Sequence, residues 1–554
     1  MKVIKGFPAT SQDDYQLNLL TLIKHAARSF AKQEIVQLLP PSSDVKRTTY
    51  RDLFVRVSRL ANVLAGFGVK AGDKVGVLDW NTITHLECYY AISGLGAVLV
   101  QMNPRLSPAD LGYIVNHSQP KIIIVTESLL YAAEQILDIV KGVERYIIIT
   151  EKPLSEIKTK LTPGHSYETL LAESKPEHEW QMIDEKSACF ACYTSGTTGR
   201  PKGVYFSHRN SYLHSMQTAV SYTWGDKSSI LVFPAMFHAA AWGIPMLATL
   251  VGAKLVLPGA YNLNDLGAII KLMVDEKVNV TLGATTFFLA MLEEIRKMKQ
   301  KPDFSNLTII SGATEPPYAM MKGYHELTGA SVSQAYGATE TTPFVTVNKV
   351  KTWLEAKMTL EEKWLLRQKH GYPIMGVDLK IVDESGAEVP HDGKSIGEIL
   401  VRGPWIAGKY YNSPGSEGRF TEDGYWRSED LGTMDSEEYL KLVDRVKDLV
   451  KSGGEWISSV DMENEIIRHP AVLEATVVGV FHPKWDERPL ALVVVRKEDR
   501  AATTQEDIIE ILKEKFAKWQ LPEKVLFVDE IPKTSVGKYN KKVIREQYKD
   551  IFRV

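Results

Sequence analysis

YTSGTTGRPKG, residues 193 to 203, sets Gly196, Gly199 and Gly203 among hydroxyl residues, with Arg200, Pro201 and Lys202 close behind. Glycines leave backbone N–H groups accessible, hydroxyls add donors and Lys202 adds positive charge, so a phosphate group is the natural guest. A Walker A loop would read G-x-x-x-x-G-K-[ST], and this spacing differs. The flanks complete the picture: ACFACYT reads as a strand, and Ser207 in FSHRNSYLHS is placed to cap the next helix. The loop therefore lies beyond a strand's carboxyl end, where open α/β sheets bind ligands.

Outward from the loop, strands and helices alternate. YRDLFVRVSRLANVLAGFG places Leu53, Val57, Leu60 and Leu64 on one helical face before a glycine stop. KVGVLDW (strand), HLECYYAISGLG (helix), AVLVQMN (strand), a helix capped by Ser107 and running through His117, and KIIIVTE (strand) follow. Such an order predicts right-handed crossovers and a parallel sheet covered on both faces. GFGVKAG closes a helix and precedes a strand, the reverse of a dinucleotide fingerprint, so NAD binding is rejected there. A second series of this kind contains ILVFP, KLVLP, VTLGA and LTIISGA as strands.

From about 371 to 442 the pattern changes to short strands and turns, which predicts a small antiparallel barrel or sheet. The last hundred or so residues return to mixed helix and strand, enough for a compact α+β domain. The expected fold is α/β: a large N-terminal domain of two doubly wound βα subdomains plus a small β-barrel (1–446), then a small mobile α+β C-terminal domain (447–554).

Whole-chain properties narrow the function. The chain has 554 residues, 44% hydrophobic and 24% charged, with a formal charge of -2, so nothing draws it toward nucleic acid. The start lacks a signal-peptide core and no apolar run approaches 18 residues, which predicts a cytoplasmic protein. Three cysteines build no disulfide framework. Cys189 and Cys192 form a C-x-x-C on a strand, but odd spacing turns them to opposite faces, against redox or zinc use.

YTSGTTGRPKG resembles throughout the phosphate-loop signature of the adenylate-forming (AMP-binding) enzymes: acyl-CoA synthetases, adenylation domains of peptide synthetases and luciferases. Further signatures follow in order along nearly the whole chain, and the resemblance assigns roles to them. Thr194, Ser195, Gly196, Thr197, Thr198, Gly199 and Lys202 would hold the outer phosphates of ATP. In YGATETTP, Tyr336 and Gly337 would meet adenine, Thr339 the α-phosphate and Glu340 the Mg²⁺ ion. Chemistry agrees, since an aromatic face suits a base and a hard cation takes oxygen ligands.

SGATEPP occupies the purine-contacting turn; its 314–317 part departs from the commoner form, which leaves Gly312 and Ala313 as candidates. Asp430 in GYWRSEDLG would accept hydrogen bonds from the ribose hydroxyls, and Arg445 in DRVKD would contact ribose or phosphate. Lys447 marks the hinge, and the loop of Lys451, Gly453, Gly454 and Glu455 would swing in for coenzyme A thioester formation. PKTSVGKYNKK puts Lys538 at the catalytic lysine.

What the resemblance implies is acyl-AMP formation from a carboxylate and ATP, then transfer of the acyl group to a thiol. A carboxylate approaching a polyanion meets repulsion of about 4 kcal/mol per unit-charge pair at 4 Å in a protein-like dielectric, so cations must offset it. FPAMFHAAAWGIPM (233–246) would line the acyl pocket, with His238 beside the carboxylate and Trp242 like the gate tryptophan of long-chain enzymes; four residues apart, they share a face if the stretch is helical. SGGEWISSVDMENEIIRHPAV and HPKWDERPLALVVV resemble the medium- and long-chain fatty acyl-CoA synthetases.

Apolar walls discriminate chain length weakly, by about 1 to 3 kcal/mol per methylene, so no chain length is assigned. A short-chain or sulfur-containing acid of the methylthiopropanoate type is the alternative substrate, and a luciferase-like oxidoreductase shares every nucleotide signature. A peptide-synthetase module would normally continue into a carrier domain, whereas this chain ends sixteen residues after Lys538. A non-catalytic nucleotide-binding protein is expected to lose Glu340 or Lys538, and both are present. The resemblance also allows a homodimer.

Overall fold

The computed structural model describes residues 4–12, 14–194, 200–261, 266–312, 314–445, 448–452, 455–534 and 538–553. Two seven-stranded sheets organise everything before residue 340. The first runs, in spatial order, Gly164–Ser166, Arg145–Ile149, Ile122–Thr126, Lys74–Leu78, Val98–Gln101, Ala188–Tyr193 and Gly203–Ser207. All its neighbours are parallel except the last two strands, which form an antiparallel hairpin. Its central strands, such as IIIVT, are apolar without alternation because helices cover both faces.

The second sheet runs Ser331–Gln334, Thr308–Gly312, Val280–Ala284, Ser229–Leu231, Lys254–Leu257, Glu34–Leu38 and Val45–Thr49. Its last two strands come from the amino-terminal segment: Glu34–Leu38 pairs parallel with Lys254–Leu257 across more than two hundred residues of sequence. No local pattern announces that choice of sheet.

The helix Ile83–Gly94 explains how the two halves hold together. Every one of its residues is buried, as expected of a helix packed on all sides. Tyr89 donates its hydroxyl hydrogen to the Met236 carbonyl at 2.8 Å, and Tyr90 donates to Thr249 Oγ1 at 2.8 Å. Both partners belong to the second half, so this helix ties the halves through hydrogen bonds as well as packing.

The segment expected as a barrel is a four-stranded antiparallel sheet, Asp378–Val382, Gly397–Arg402, Trp426–Met434 and Leu440–Arg445 in simple order. A bridge from Gly371 to Leu440 joins it to a short two-stranded ribbon. Beyond it, residues 450–552 form their own sheet and their own apolar clusters, which contain no residue from before Val450.

The helices read from periodicity are present. Leu53, Val57, Leu60 and Leu64 are all buried on the helix Tyr50–Gly66. Ser107 caps the helix Pro108–Ser118 by accepting from Asp110 N–H, and Ser207 caps His208–Tyr222 by accepting from Asn210 N–H. A strand that the sequence reading passed over, Gly203–Ser207, intervenes between the signature loop and that second helix.

Candidate active site

Because Ala188–Tyr193 and Gly203–Ser207 pair antiparallel, the opening signature is the connection of a β-hairpin. Tyr193 faces Gly203. One step further, Thr194 N–H donates to the Lys202 carbonyl at 2.9 Å and Lys202 N–H donates to Thr194 Oγ1 at 3.2 Å. Ser195, Gly196, Thr197, Thr198 and Gly199 lie outside the described residues. The stem is braced from two sides: Tyr411 N–H donates to the Gly203 carbonyl at 2.9 Å, and His117 Nδ1 lies 2.9 Å from the Tyr193 hydroxyl.

Lys202 carries its ammonium 4.9 Å from the ring centroid of Tyr410, a cation–π distance. The hydroxyl of that tyrosine donates to Glu340 Oε1 at 2.6 Å. Tyr410 thus links the loop lysine to the candidate metal carboxylate. Sequence reasoning missed it, because Tyr410 owes its place to Lys202 and Glu340, which reach it from two other parts of the chain.

Glu340 itself is buried in a single 3-10 turn, Thr339–Thr341, with its carbonyl accepting from Ala407 N–H at 2.8 Å. Thr339 is half-buried on the same turn. Gly337 before it pairs with Phe344 across the bend, and a Cβ there would sit 1.9 Å from the Pro343 carbonyl oxygen. Backbone cannot retreat from such a contact, so the YGATE bend requires glycine.

Tyr336 is buried and donates its hydroxyl hydrogen to Asp430 Oδ2 at 2.7 Å. Asp430 and Arg445 face each other across adjacent strands, with Arg445 Nε 3.2 Å from Asp430 Oδ1. The register slips on both sides of the Trp426–Met434 strand, and Glu429 has φ of 60°. A bulge of this kind re-aims a side chain, here Asp430 toward the tyrosine. Attraction to Asp430 holds the Arg445 guanidinium firmly charged. A carboxylate accepts about four hydrogen bonds, so Asp430 keeps capacity for a diol.

Lys538 comes from the far end of the chain into this group. Burial pushes its amine down to about 8, the positive charge of Arg445 adds to that, and Asp430 and Glu340 pull the other way. His238 feels Lys538 as well: burial and that neighbouring charge bring its imidazole down to about 4, so the ring is neutral. Its Nδ1 accepts from Ala240 N–H at 3.0 Å, which leaves Nε2 carrying the hydrogen as a donor.

Trp242 does not share that face. Residues 235–244 follow a series of i→i+3 bonds, including His238 N–H to Ala235 O and Trp242 N–H to Ala239 O, before a helix begins at Ile244. With three residues per turn, positions four apart point about 120° away from each other. Trp242 is fully buried, stacks on Phe190 and donates from Nε1 to Ser211 Oγ at 3.2 Å. The expectation of a common helical face is corrected accordingly.

Among the remaining candidates, Gly312 ends the strand Thr308–Gly312 and its carbonyl accepts from Thr285 Oγ1 at 3.2 Å. Ala313, Lys447, Gly453 and Gly454 lie outside the described residues, and Glu455 opens the strand Glu455–Ile457. Lys451 is exposed on the strand Val450–Ser452; its N–H donates to Glu487 Oε2 at 3.0 Å, and its ammonium lies 5.8 Å from the Trp456 ring. Among the described residues these contacts lie within the carboxyl-terminal unit, away from the group around Lys538.

A magnesium ion suits this donor set. Among the described residues no group of three or more His, Cys, Asp or Glu could hold a metal. One carboxylate oriented by Tyr410 matches an ion whose other ligands are phosphate oxygens and water.

The AMP-binding enzyme family matches residues 23–411, and its C-terminal domain matches residues 461–538. The chain belongs to the AMP-binding enzyme family. This AMP-binding enzyme is 41% identical to a long-chain-fatty-acid–CoA ligase of Thermus thermophilus over 99% of its own length and 98% of the relative's. It is 37% identical to a 3-methylmercaptopropionyl-CoA ligase of Ruegeria lacuscaerulensis, covering 96% and 98% of the two chains. With a medium-chain-fatty-acid–CoA ligase of Ectopseudomonas oleovorans it shares 36% identity over 97% of each. Among solved structures, ATP-bound MatB from Rhodopseudomonas palustris superposes with a TM-score of 0.80 at 25% identity, over 97% of this chain and all of that one.

Proposed function

We propose that this AMP-binding enzyme is an acid–thiol ligase that makes acyl-coenzyme A from a medium- or long-chain fatty or related aliphatic acid. The single observation carrying this reading is the convergence of Lys538, from the last stretch of the chain, with Glu340, Asp430, Arg445 and His238. In the first step a carboxylate oxygen attacks the α-phosphorus of ATP, and pyrophosphate leaves. In the second the thiol of coenzyme A attacks the acyl-AMP carbonyl; AMP leaves and the thiol proton goes to solvent.

The chain's own contribution is position and charge. Lys538 and Lys202 offset the repulsion between the entering carboxylate and the phosphates. Nε2–H of His238 is available to a substrate oxygen, and Asp430 with Arg445 orients the nucleoside end. Magnesium on Glu340 supplies further charge neutralisation on the phosphates when bound. No side-chain nucleophile takes part. We take residues 1–446 and 447–554 as the two working units, a division supported by their separate apolar clusters.

The 3-methylmercaptopropionyl-CoA ligases among the relatives favour a second reading, in which a short sulfur-containing acid is the better substrate. A panel of straight-chain, branched, aromatic and sulfur-containing acids, assayed with ATP, Mg²⁺ and coenzyme A for thioester and AMP, decides between them. ADP in place of AMP would refute the reaction itself.

A further inference from the structure

The carboxyl-terminal unit has its own core, and among the described residues no apolar cluster spans it and the rest of the chain, so the contacts that join them there are polar. Among the described residues, two ion pairs cross the 446–447 connection. Lys441 to Asp461, at 3.0 Å, lies beside that connection in sequence, as do Asp444 with Ser459 and Val443 O with Ser458 Oγ. The other pair is Glu293 with Arg496, whose partners stand 203 residues apart.

Glu293 sits on the helix Thr285–Lys297, and Arg496 directly follows the strand Asp486–Val495. The contact is two-pronged: Arg496 Nη2 donates to Glu293 Oε1 at 3.0 Å and Nη1 donates to Oε2. Its arginine is already braced, with N–H on the Ala471 carbonyl at 2.9 Å and Nε on the Pro470 carbonyl at 3.2 Å. Side-chain exposures of 27% and 21% leave the pair partly screened, strong enough to orient and weak enough to break. One point of attachment beside a connection leaves a pivot; a second, on elements remote from it in sequence, sets an orientation.

We propose that Glu293 and Arg496 form a clasp that positions the carboxyl-terminal unit, and with it Lys538, for the adenylation step. The proposal rests on the function given above. Glu293 is a positioning residue, since it acts through Lys538 and touches no reacting atom. Losing the clasp slows adenylation and spares the transfer from acyl-AMP, which does not need Lys538 in the site.

The test compares the parent with Glu293→Gln, Arg496→Gln and the reversed pair Glu293→Arg with Arg496→Glu. Two steps are measured separately: dodecanoate-dependent exchange of pyrophosphate into ATP, and dodecanoyl-CoA formation from supplied dodecanoyl-AMP. Thermal midpoints control for folding. Glu293→Gln is expected to lower the exchange kcat about tenfold with transfer undiminished, and the reversed pair to regain most of the loss. Equal loss of both steps, or exchange equal to an active parent's, overturns the clasp. A parent that catalyses no exchange with any acid in the panel refutes the proposed function instead, and the clasp falls with it.

Discussion

Raising the pH should switch off adenylation through one amine. Lys538 titrates near 8 in place of the ordinary 10.5, chiefly because the site desolvates it, with Arg445 adding repulsion. Holding the ammonium there costs about 3 kcal/mol relative to the neutral amine. At pH 7 about nine-tenths of the free enzyme carries the charge, and at pH 9 about one-tenth, so kcat/KM for ATP should fall about tenfold across that interval. For stability the sign is opposite: the folded value lies below the unfolded one, so the cost of burying the charge is full below pH 8 and relieved as pH rises toward 10.5. The assay is pyrophosphate exchange at subsaturating ATP from pH 6.5 to 9.5. Lys538→Arg, which stays charged throughout, should be slower but lack the alkaline limb. A parent profile flat to pH 9.5, or the same limb in the arginine variant, would refute this account of the lysine.

Other perturbations test the surroundings. Tyr410→Phe removes the O–H donated to Glu340 Oε1 and should raise the Mg²⁺ concentration for half-maximal exchange about tenfold, with transfer from supplied acyl-AMP little changed. Among the described residues the buried Glu315 Oε2 has no hydrogen-bond partner, and the carboxyl faces Lys441, Asp461 and Lys515; burial raises it to about 7. Its protonated form therefore stabilises the fold most below about pH 4.5, and that contribution is lost as pH rises through 7; Glu315→Gln should remove this slope from thermal midpoints measured between pH 5 and 8. Trp242→Ala empties a fully buried site and should cost about 3 to 5 kcal/mol by denaturant unfolding, whatever acid is being activated.

Much of the fold was legible locally. Helices with a clean apolar stripe, such as Tyr50–Gly66, and caps such as Ser107 and Ser207 could be located because their causes lie within a few residues. The reading went wrong where distant partners decide. Nothing in IVQL says it pairs with Lys254–Leu257, and the shared face of His238 and Trp242 depended on 233–246 being helical, whereas its first part turns by i→i+3 bonds that separate the two. Tyr410 had no signal because its importance comes from Lys202 and Glu340, which reach it from two other parts of the chain.

The amino acids in order were enough to determine the alternation of strand and helix, the glycine-spaced loop beyond a strand's carboxyl end, and which acids and lysines carry the family signatures; that the loop closes a hairpin was not among them. These depend on short-range backbone preference and on spacing along the chain. Only the tertiary structure could decide which charges share a dielectric: that Lys538 is desolvated beside Arg445, that Asp430 is aimed by a bulge at Tyr336, and that Glu293 meets Arg496. Electrostatic energy depends on separation in space and on the water excluded between groups, and neither is a function of position in sequence.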